Sequence, residues 1–260
     1  MNEAKFLSGY TAIVTGGSTG IGRAIAQALI NTDANVVVCS RNATTRPLGD
    51  ALAQQRDRLM TVDVDVTSAS SVQELCMTTR KKFGRIDILV NSAGIMPDHL
   101  ITDHPDDLWH ETLAINLTGV YQTIKACLPD MIEQRWGRII NIASTAATVS
   151  APGFGAYSAS KAGVVGLTRA AALEGAPHGV TCNAISPGWV ETEMALAAIK
   201  RYATVEERDF DEYLAEIKTG NPQQRMVQPD EIASLVLYLC RDDALGMTMQ
   251  DLVYSAASLW

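Results

Sequence analysis

Seven short apolar runs punctuate the chain: TAIVTG (11–16), NVVVCS (35–40), LMTVDV (59–64), IDILVN (86–91), GRIINIAS (137–144), VTCNAIS (180–186) and DLVYSA (251–256). They are continuously apolar rather than alternating, as strands buried on both faces are. Longer stretches with helical spacing separate them, at 21–31, 69–83, 106–133, 157–175 and 229–241. This alternation predicts βαβ units and an α/β, doubly wound parallel sheet of about seven strands with helices on both faces. Nothing between residues 1 and 260 reads as a repeat, a low-complexity segment or a linker, so a single domain is expected.

One stretch breaks the rhythm. Residues 193–220, EMALAAIKRYATVEERDFDEYLAEIKTG, form a helical insertion between the sixth and seventh strands. It leaves from the carboxyl end of a strand, the edge that carries the ligand crevice in open α/β sheets. A substrate lid is expected there, with its acidic run EERDFDE as a solvated helix face.

Composition narrows the class. Apolar residues make up 47% and charged residues 19%, and the net charge is 21 − 29 = −8. An acidic chain lacks the basic footprint that nucleic acid or an anionic membrane requires. The cysteines, at 39, 76, 127, 182 and 240, are scattered without a CxxC pair and read as reduced thiols packed as small hydrophobes. The first residues lack a signal-peptide pattern, and no apolar run is long enough to span a bilayer. A soluble cytoplasmic protein is expected.

The first strand runs directly into TGGSTGIG (15–22) and then a helix. Gly16, Gly20 and Gly22 let backbone approach a pyrophosphate, while the helix N-terminus offers free N–H groups and a positive dipole end. The context, strand then glycine turn then helix, makes this a Rossmann-like dinucleotide turn. At the end of the second strand, where an acidic residue would hold a ribose 2′-hydroxyl, stand Ser40 and Arg41, with Arg46 close behind. A guanidinium suits a 2′-phosphate, which favours NADP(H) over NAD(H).

Further on, GAYSASKAGVVG (155–166) places Tyr157 and Lys161 one helical turn apart, on a shared face. A solvated lysine beside a core tyrosine and a phenol poised for proton transfer are both open on that evidence alone.

Taken in order, these motifs resemble the short-chain dehydrogenase/reductase family, in particular its 3-oxoacyl reductase-like members, over nearly the whole chain. TGGSTGIG is similar to the family's cofactor turn, which implies contacts from Gly16, Ser18, Thr19, Gly20 and Ile21. DVT (65–67) resembles the adenine-pocket segment, with Asp65 and Val66 against the base. NSAG resembles NNAG and implies Asn91, Ala93 and Gly94 beside the cofactor, with Ser92 replacing an amide. SPGWVET resembles the segment beside the nicotinamide and implies Pro187, Gly188, Val190 and Thr192. INLTG carries Asn116, IINIAS carries Ser144, and YSASK carries Tyr157 and Lys161, with the family's spacing of thirteen between Ser144 and Tyr157.

The resemblance implies an oxidoreductase that interconverts a ketone and a secondary alcohol. Tyr157 would exchange the proton, its ordinary value near 10 lowered by the Lys161 cation. Lys161 would also bind the nicotinamide ribose, Ser144 would hold the substrate oxygen, and Asn116 would keep a relay water. Met96, Trp189 and Met194 would form an apolar substrate mouth together with Ser144 and Tyr157. Candidate substrates are 3-oxoacyl thioesters or aromatic polyketides. The alternative is an NAD-dependent secondary-alcohol, hydroxybutyrate, steroid or polyol dehydrogenase, and a non-catalytic nucleotide sensor is a third reading.

His99, His104 and His110 lack a tight ligand pattern, so no metal is expected. Ala256 and Ala257 stand where relatives often carry glycines, in a region that packs across a subunit interface. A homo-oligomer, tetramer or dimer, is implied.

Overall fold

In the computed structural model, which describes residues 5–258, the seven apolar runs form one sheet in the order β3-β2-β1-β4-β5-β6-β7. The strands are β1 (Thr11–Thr15), β2 (Asn35–Ser40), β3 (Leu59–Asp63), β4 (Ile88–Asn91), β5 (Gly137–Ile142), β6 (Val180–Pro187) and β7 (Asp251–Tyr254). Every neighbouring pair is parallel. β1 pairs with both β2 and β4, so the order reverses there and opens a crevice at the carboxyl ends of those strands.

Continuous apolarity in the strands is explained by the two cores that flank the sheet. On one face Val14, Val36 and Val38 pack with Ile25 and Leu29 of α1 (Gly20–Asn31) and with Val236 of α9 (Pro229–Leu239). On the other, Ile13, Val37 and Ile139 pack with Leu75, Ile124 and Val165 from α3 (Ala69–Phe83), α5 (Gly119–Gln134) and α6 (Gly155–Gly175). Successive residues of β1 and β2 therefore serve opposite layers, and both must be apolar. A short turn, α2 (Asp50–Ala53), precedes β3.

The predicted helix 106–133 is interrupted. α4 (Asp106–Leu113) passes into a π-helical segment, Ala114–Thr118, before α5 begins. A tertiary contact stands at its centre: Asn116 Oδ1 accepts from Ile95 N at 2.9 Å, and its Nδ2 donates to Ile95 O at 2.9 Å and to Ser160 Oγ at 3.1 Å. Such bulges gather at functional sites.

The insertion is two helices, α7 (Glu193–Val205) and α8 (Phe210–Gly220). Glu207 takes a positive φ of 52°, and Asp209 caps α8 by accepting from Asp211 N and Glu212 N. The acidic run is thus a helix break and N-cap, correcting the continuous helix face expected from sequence. The pair closes on a small core in which Ile199 and Met226 are fully buried against Trp189, Phe210, Tyr213, Leu214 and Ile217.

Candidate active site

Strand β5 ends at Ile142, two residues short of the predicted Ser144. Ser144 instead opens a single 3-10 turn, its hydroxyl accepting from Ala146 N at 3.1 Å. This lifts the serine off the sheet edge into the crevice. Tyr157 and Lys161 reach the same space from the first turns of α6. The Tyr157 ring is half-buried and meets Phe154 edge-on at 6.3 Å between centroids, while Lys161 Nζ lies 5.6 Å from the Tyr157 ring centre.

Lys161 is only 6% exposed, and its ammonium donates to the Ile142 carbonyl at 2.8 Å. Burial pulls its pKa down to about 8. Burial also pushes the Tyr157 phenol above its ordinary value, and the neighbouring Ser144 hydroxyl pulls it part of the way back. The lowering expected from the Lys161 charge is absent: burial is the leading influence on the phenol, and the Lys161 ammonium is directed at a main-chain carbonyl. A phenol in that state is protonated at neutral pH, the form that can donate to a developing alkoxide.

One cleft of about 220 Å³ joins these side chains to the glycine turn. Of the residues named from sequence, Gly16, Thr19, Gly20, Ile21, Ala93, Gly94, Met96, Ser144, Tyr157, Lys161, Pro187, Gly188, Trp189, Val190, Thr192 and Met194 line it. The turn is shaped by crowding. At Gly16 (φ +64°) a Cβ would come within 2.8 Å of Ala93 N, and at Gly22 within 2.4 Å of Gly16 O. Thr19 makes no side-chain cap on α1, so the first N–H groups of that helix stay available at the cleft floor. This cradle fits a dinucleotide pyrophosphate.

The other named residues stand behind or beside the cleft. Asn91 turns into the core, donating to Asn141 Oδ1 at 2.8 Å and accepting from Thr123 Oγ1 at 2.7 Å. Its amide is therefore committed to the scaffold rather than to a ligand. Asn116 lies under Gly94, its Oδ1 3.2 Å from where a Gly94 Cβ would stand, with Lys161 Nζ at 3.7 Å from the same point. Ser18 and Ser40 exchange a hydrogen bond at 3.0 Å between the turn and the end of β2. Arg41 is exposed, and Arg46 pairs with Glu193 at 2.9 Å. Asp65 accepts from Thr67 N and Oγ1, which holds its carboxyl below the usual range, with Arg41 adding slightly. Val66 packs at the same edge, against the Gly119 backbone.

Sequence reasoning missed several participants. Thr15 Oγ1 accepts from Ser92 N and Ala93 N, pinning the NSAG turn to the end of β1. Ile142 and Ile95 act through main-chain groups, which no side-chain pattern announces. Val149, Ala151 and Phe154 add an apolar wall from the segment between Ser144 and Tyr157.

A parallel sheet with its crevice at the β1–β4 switch, a pyrophosphate cradle, and a phenol, ammonium and hydroxyl in one cleft make an oxidoreductase of the nicotinamide type. The family model described as enoyl-(acyl carrier protein) reductase matches residues 16–256. A D-beta-hydroxybutyrate dehydrogenase of Cupriavidus necator is 38% identical over 240 residues, covering 92% of this chain and 93% of its own. A 3-oxoacyl-(acyl-carrier-protein) reductase of Vibrio harveyi is 36% identical, covering 95% of this chain and 96% of its own. A crystal structure of a phenylalanine-to-tryptophan variant of actinorhodin polyketide ketoreductase with NADPH superposes with a TM-score of 0.89 at 36% identity, covering 95% of this chain and 96% of that one. The chain belongs to the short-chain dehydrogenase/reductase family, and is an NAD(P)-dependent enzyme acting on CH–OH groups.

Proposed function

We propose that this single-domain enzyme reduces the ketone of an extended, largely apolar substrate of the 3-oxoacyl or polyketide type, using NADPH. The carrying observation is the cleft's charge: among its described lining residues the only cation is Lys161, already committed to Ile142 O, and the only anion is Glu193. A small keto acid would find no counter-charge for its carboxylate there, whereas Met96, Val149, Phe154, Trp189 and Met194 offer an apolar path.

The nicotinamide nucleotide supplies hydride when bound. Gly16, Ser18, Thr19, Gly20 and Ile21 hold its pyrophosphate, Arg41 and Arg46 its adenosine phosphate, and Asp65 and Val66 flank the adenine. The Ala93–Gly94 backbone and Pro187, Gly188, Val190 and Thr192 enclose the nicotinamide half. Tyr157 donates its proton to the substrate oxygen, Ser144 hydrogen-bonds that oxygen, and Lys161 orders the ribose. Asn116 fixes the Ile95 backbone and the rear of the Lys161 pocket. α7 and α8 act as the substrate lid. Homo-oligomerisation is supported by uncovered apolar side chains such as Val253 on edge strand β7 and Tyr238 on α9. No helix among the described residues is long and apolar enough to cross a membrane. With the acidic net charge, this supports a cytoplasmic protein without nucleic-acid partners.

The test is a panel of 3-oxoacyl thioesters, aromatic ketones and acetoacetate, each with NADPH and NADH, followed by absorbance of the reduced nicotinamide. Greater kcat/KM for thioester or aromatic ketones with NADPH is expected. Preference for acetoacetate with NADH would replace this reading with a hydroxybutyrate dehydrogenase, and nucleotide binding without turnover would leave a sensor.

A further inference from the structure

Arg46 and Glu193 are 147 positions apart in sequence, yet Arg46 Nη2 and Glu193 Oε2 meet at 2.9 Å. Each partner is held by its own backbone. The loop carrying Arg46 is pinned to the end of β3, because Thr44 donates to Asp63 from both its N–H, at 2.9 Å, and its hydroxyl, at 2.6 Å. Glu193 is the first residue of α7 and follows Thr192, whose hydroxyl caps that helix by accepting from Ala195 N at 3.2 Å. Thr192 in turn abuts the glycine turn, its Cγ2 lying 3.3 Å from where a Gly20 Cβ would stand. The ion pair therefore bridges the loop after β2 and the root of the insertion, and Glu193 itself lines the cleft.

We infer that Glu193 is a specificity-determining residue that competes with the cofactor's 2′-phosphate for the Arg46 guanidinium. This rests on the reading above that the adenosine ribose lies at the end of β2. A phosphate dianion arriving at Arg46 meets a carboxylate already paired with it. It must displace Glu193 or share the guanidinium, and two anions beside one cation repel. A nucleotide lacking the 2′-phosphate leaves the pair undisturbed. Glu193 thus lowers the advantage that Arg46 gives to NADP(H), and the first turn of α7 is freed from the β2 loop only when a 2′-phosphate is present. Both side chains are partly solvated, so the effect is severalfold rather than absolute.

Equilibrium binding of 2′,5′-ADP and of ADP, measured by calorimetry, separates the possibilities without turnover. Glu193→Gln keeps a helix-compatible side chain of the same size and removes only the charge. It should tighten 2′,5′-ADP by about threefold to tenfold and leave ADP within about twofold. Arg46→Ala should weaken 2′,5′-ADP selectively, and adding Glu193→Gln to that background should change nothing further. The inference is overturned if Glu193→Gln leaves 2′,5′-ADP unchanged, weakens it, or shifts both nucleotides equally. It also falls if its effect survives without Arg46. Unchanged 2′,5′-ADP affinity in Arg46→Ala, or no binding of either nucleotide to the unaltered protein, would instead remove the underlying placement of the ribose, and the inference with it. Circular dichroism on each variant confirms that the fold is kept.

Discussion

The Lys161 ammonium and the Ile142 carbonyl stand 2.8 Å apart, which ties the start of α6 to the end of β5, two residues before Ser144. The cation is thus anchored by backbone instead of by the phenol one turn away. The Tyr157 phenol and the Lys161 ammonium on α6 are thereby fixed relative to Ser144 beyond β5, and a second contact, from Asn141 Nδ2 of β5 to Thr168 Oγ1 of α6 at 2.8 Å, ties the same two elements further along.

That contact costs the folded protein a buried charge, and the cost depends on pH. The folded-state pKa of Lys161 is about 8 against an ordinary value of 10.5. Between those values the unfolded chain binds the extra proton, so stability rises with pH across this window, and the penalty is present in full below about 8. Lys161→Met lacks the group and its titration. The unfolding free energy of the unaltered protein minus that of Lys161→Met should therefore rise by about 2–4 kcal/mol between pH 7.5 and 10.5. Urea melts of both proteins at several pH values measure it; a pH-independent difference would mean that the ammonium is not desolvated.

Tyr157→Phe keeps the ring that packs on Phe154 and removes only the hydroxyl. Nucleotide affinity should stay within about twofold, because the pyrophosphate cradle is untouched. Turnover should fall by at least the hundredfold to ten-thousandfold range typical of a lost acid–base group, about 10² to 10⁴. Steady-state kinetics with a calorimetric titration distinguish the two effects, and unchanged turnover would remove the phenol from the reaction.

Asn116→Leu removes three hydrogen bonds at once, to Ile95 N, Ile95 O and Ser160 Oγ, while keeping the branched shape of the side chain at a larger volume. It strands buried polar groups at about 1–3 kcal/mol each, so a loss of several kcal/mol in denaturant stability is expected. Asn116→Asp retains the acceptor for Ile95 N and should lose less. If Leu and Asp cost the same, the hydrogen bonds to Ile95 are not what shapes the π-helical segment.

Strand periodicity and the glycine turn were legible from sequence because each rests on chemistry repeated over several residues. Buried parallel strands need apolar residues on both faces, and Gly16 and Gly22 answer backbone crowding that any side chain would violate. The break at Ala114–Thr118 was not legible. INLT has ordinary helical spacing, and what stands at its centre is a single side chain bonding the distant Ile95 backbone. The Tyr157 and Lys161 pair was visible, but the direction of the Tyr157 shift was not. Burial is a property of the packed site, and it leads the shift of the phenol in place of the charge effect that helical spacing alone suggested. Likewise Asn91 matched a motif by letter, while its amide is spent on Asn141 and Thr123. Motif matching locates a backbone segment; it does not show which way the side chain turns.

The C-terminal departure from the family pattern has an energetic consequence. Ala256 and Ala257 both adopt left-handed backbone, with φ of 53° and 62°. An alanine pays about 1–2 kcal/mol there through its Cβ, whereas glycine does not. Ala257 is exposed, so its methyl contributes little packing. Ala257→Gly should therefore stabilise the protein by about 0.5–1 kcal/mol after the added flexibility of the unfolded chain is subtracted, a rise of about 1–3 °C in Tm. Ala256 carries the same backbone strain but is 6% exposed and packed in the core beside α1 and α9. Ala256→Gly should gain less or nothing, because relief of strain is offset by a lost buried methyl. Differential scanning calorimetry on the two variants reads the contrast directly. If Ala257→Gly lowers Tm, these residues sit in this conformation without strain, and the substitution of alanine for the family's glycine has no energetic cost at this turn.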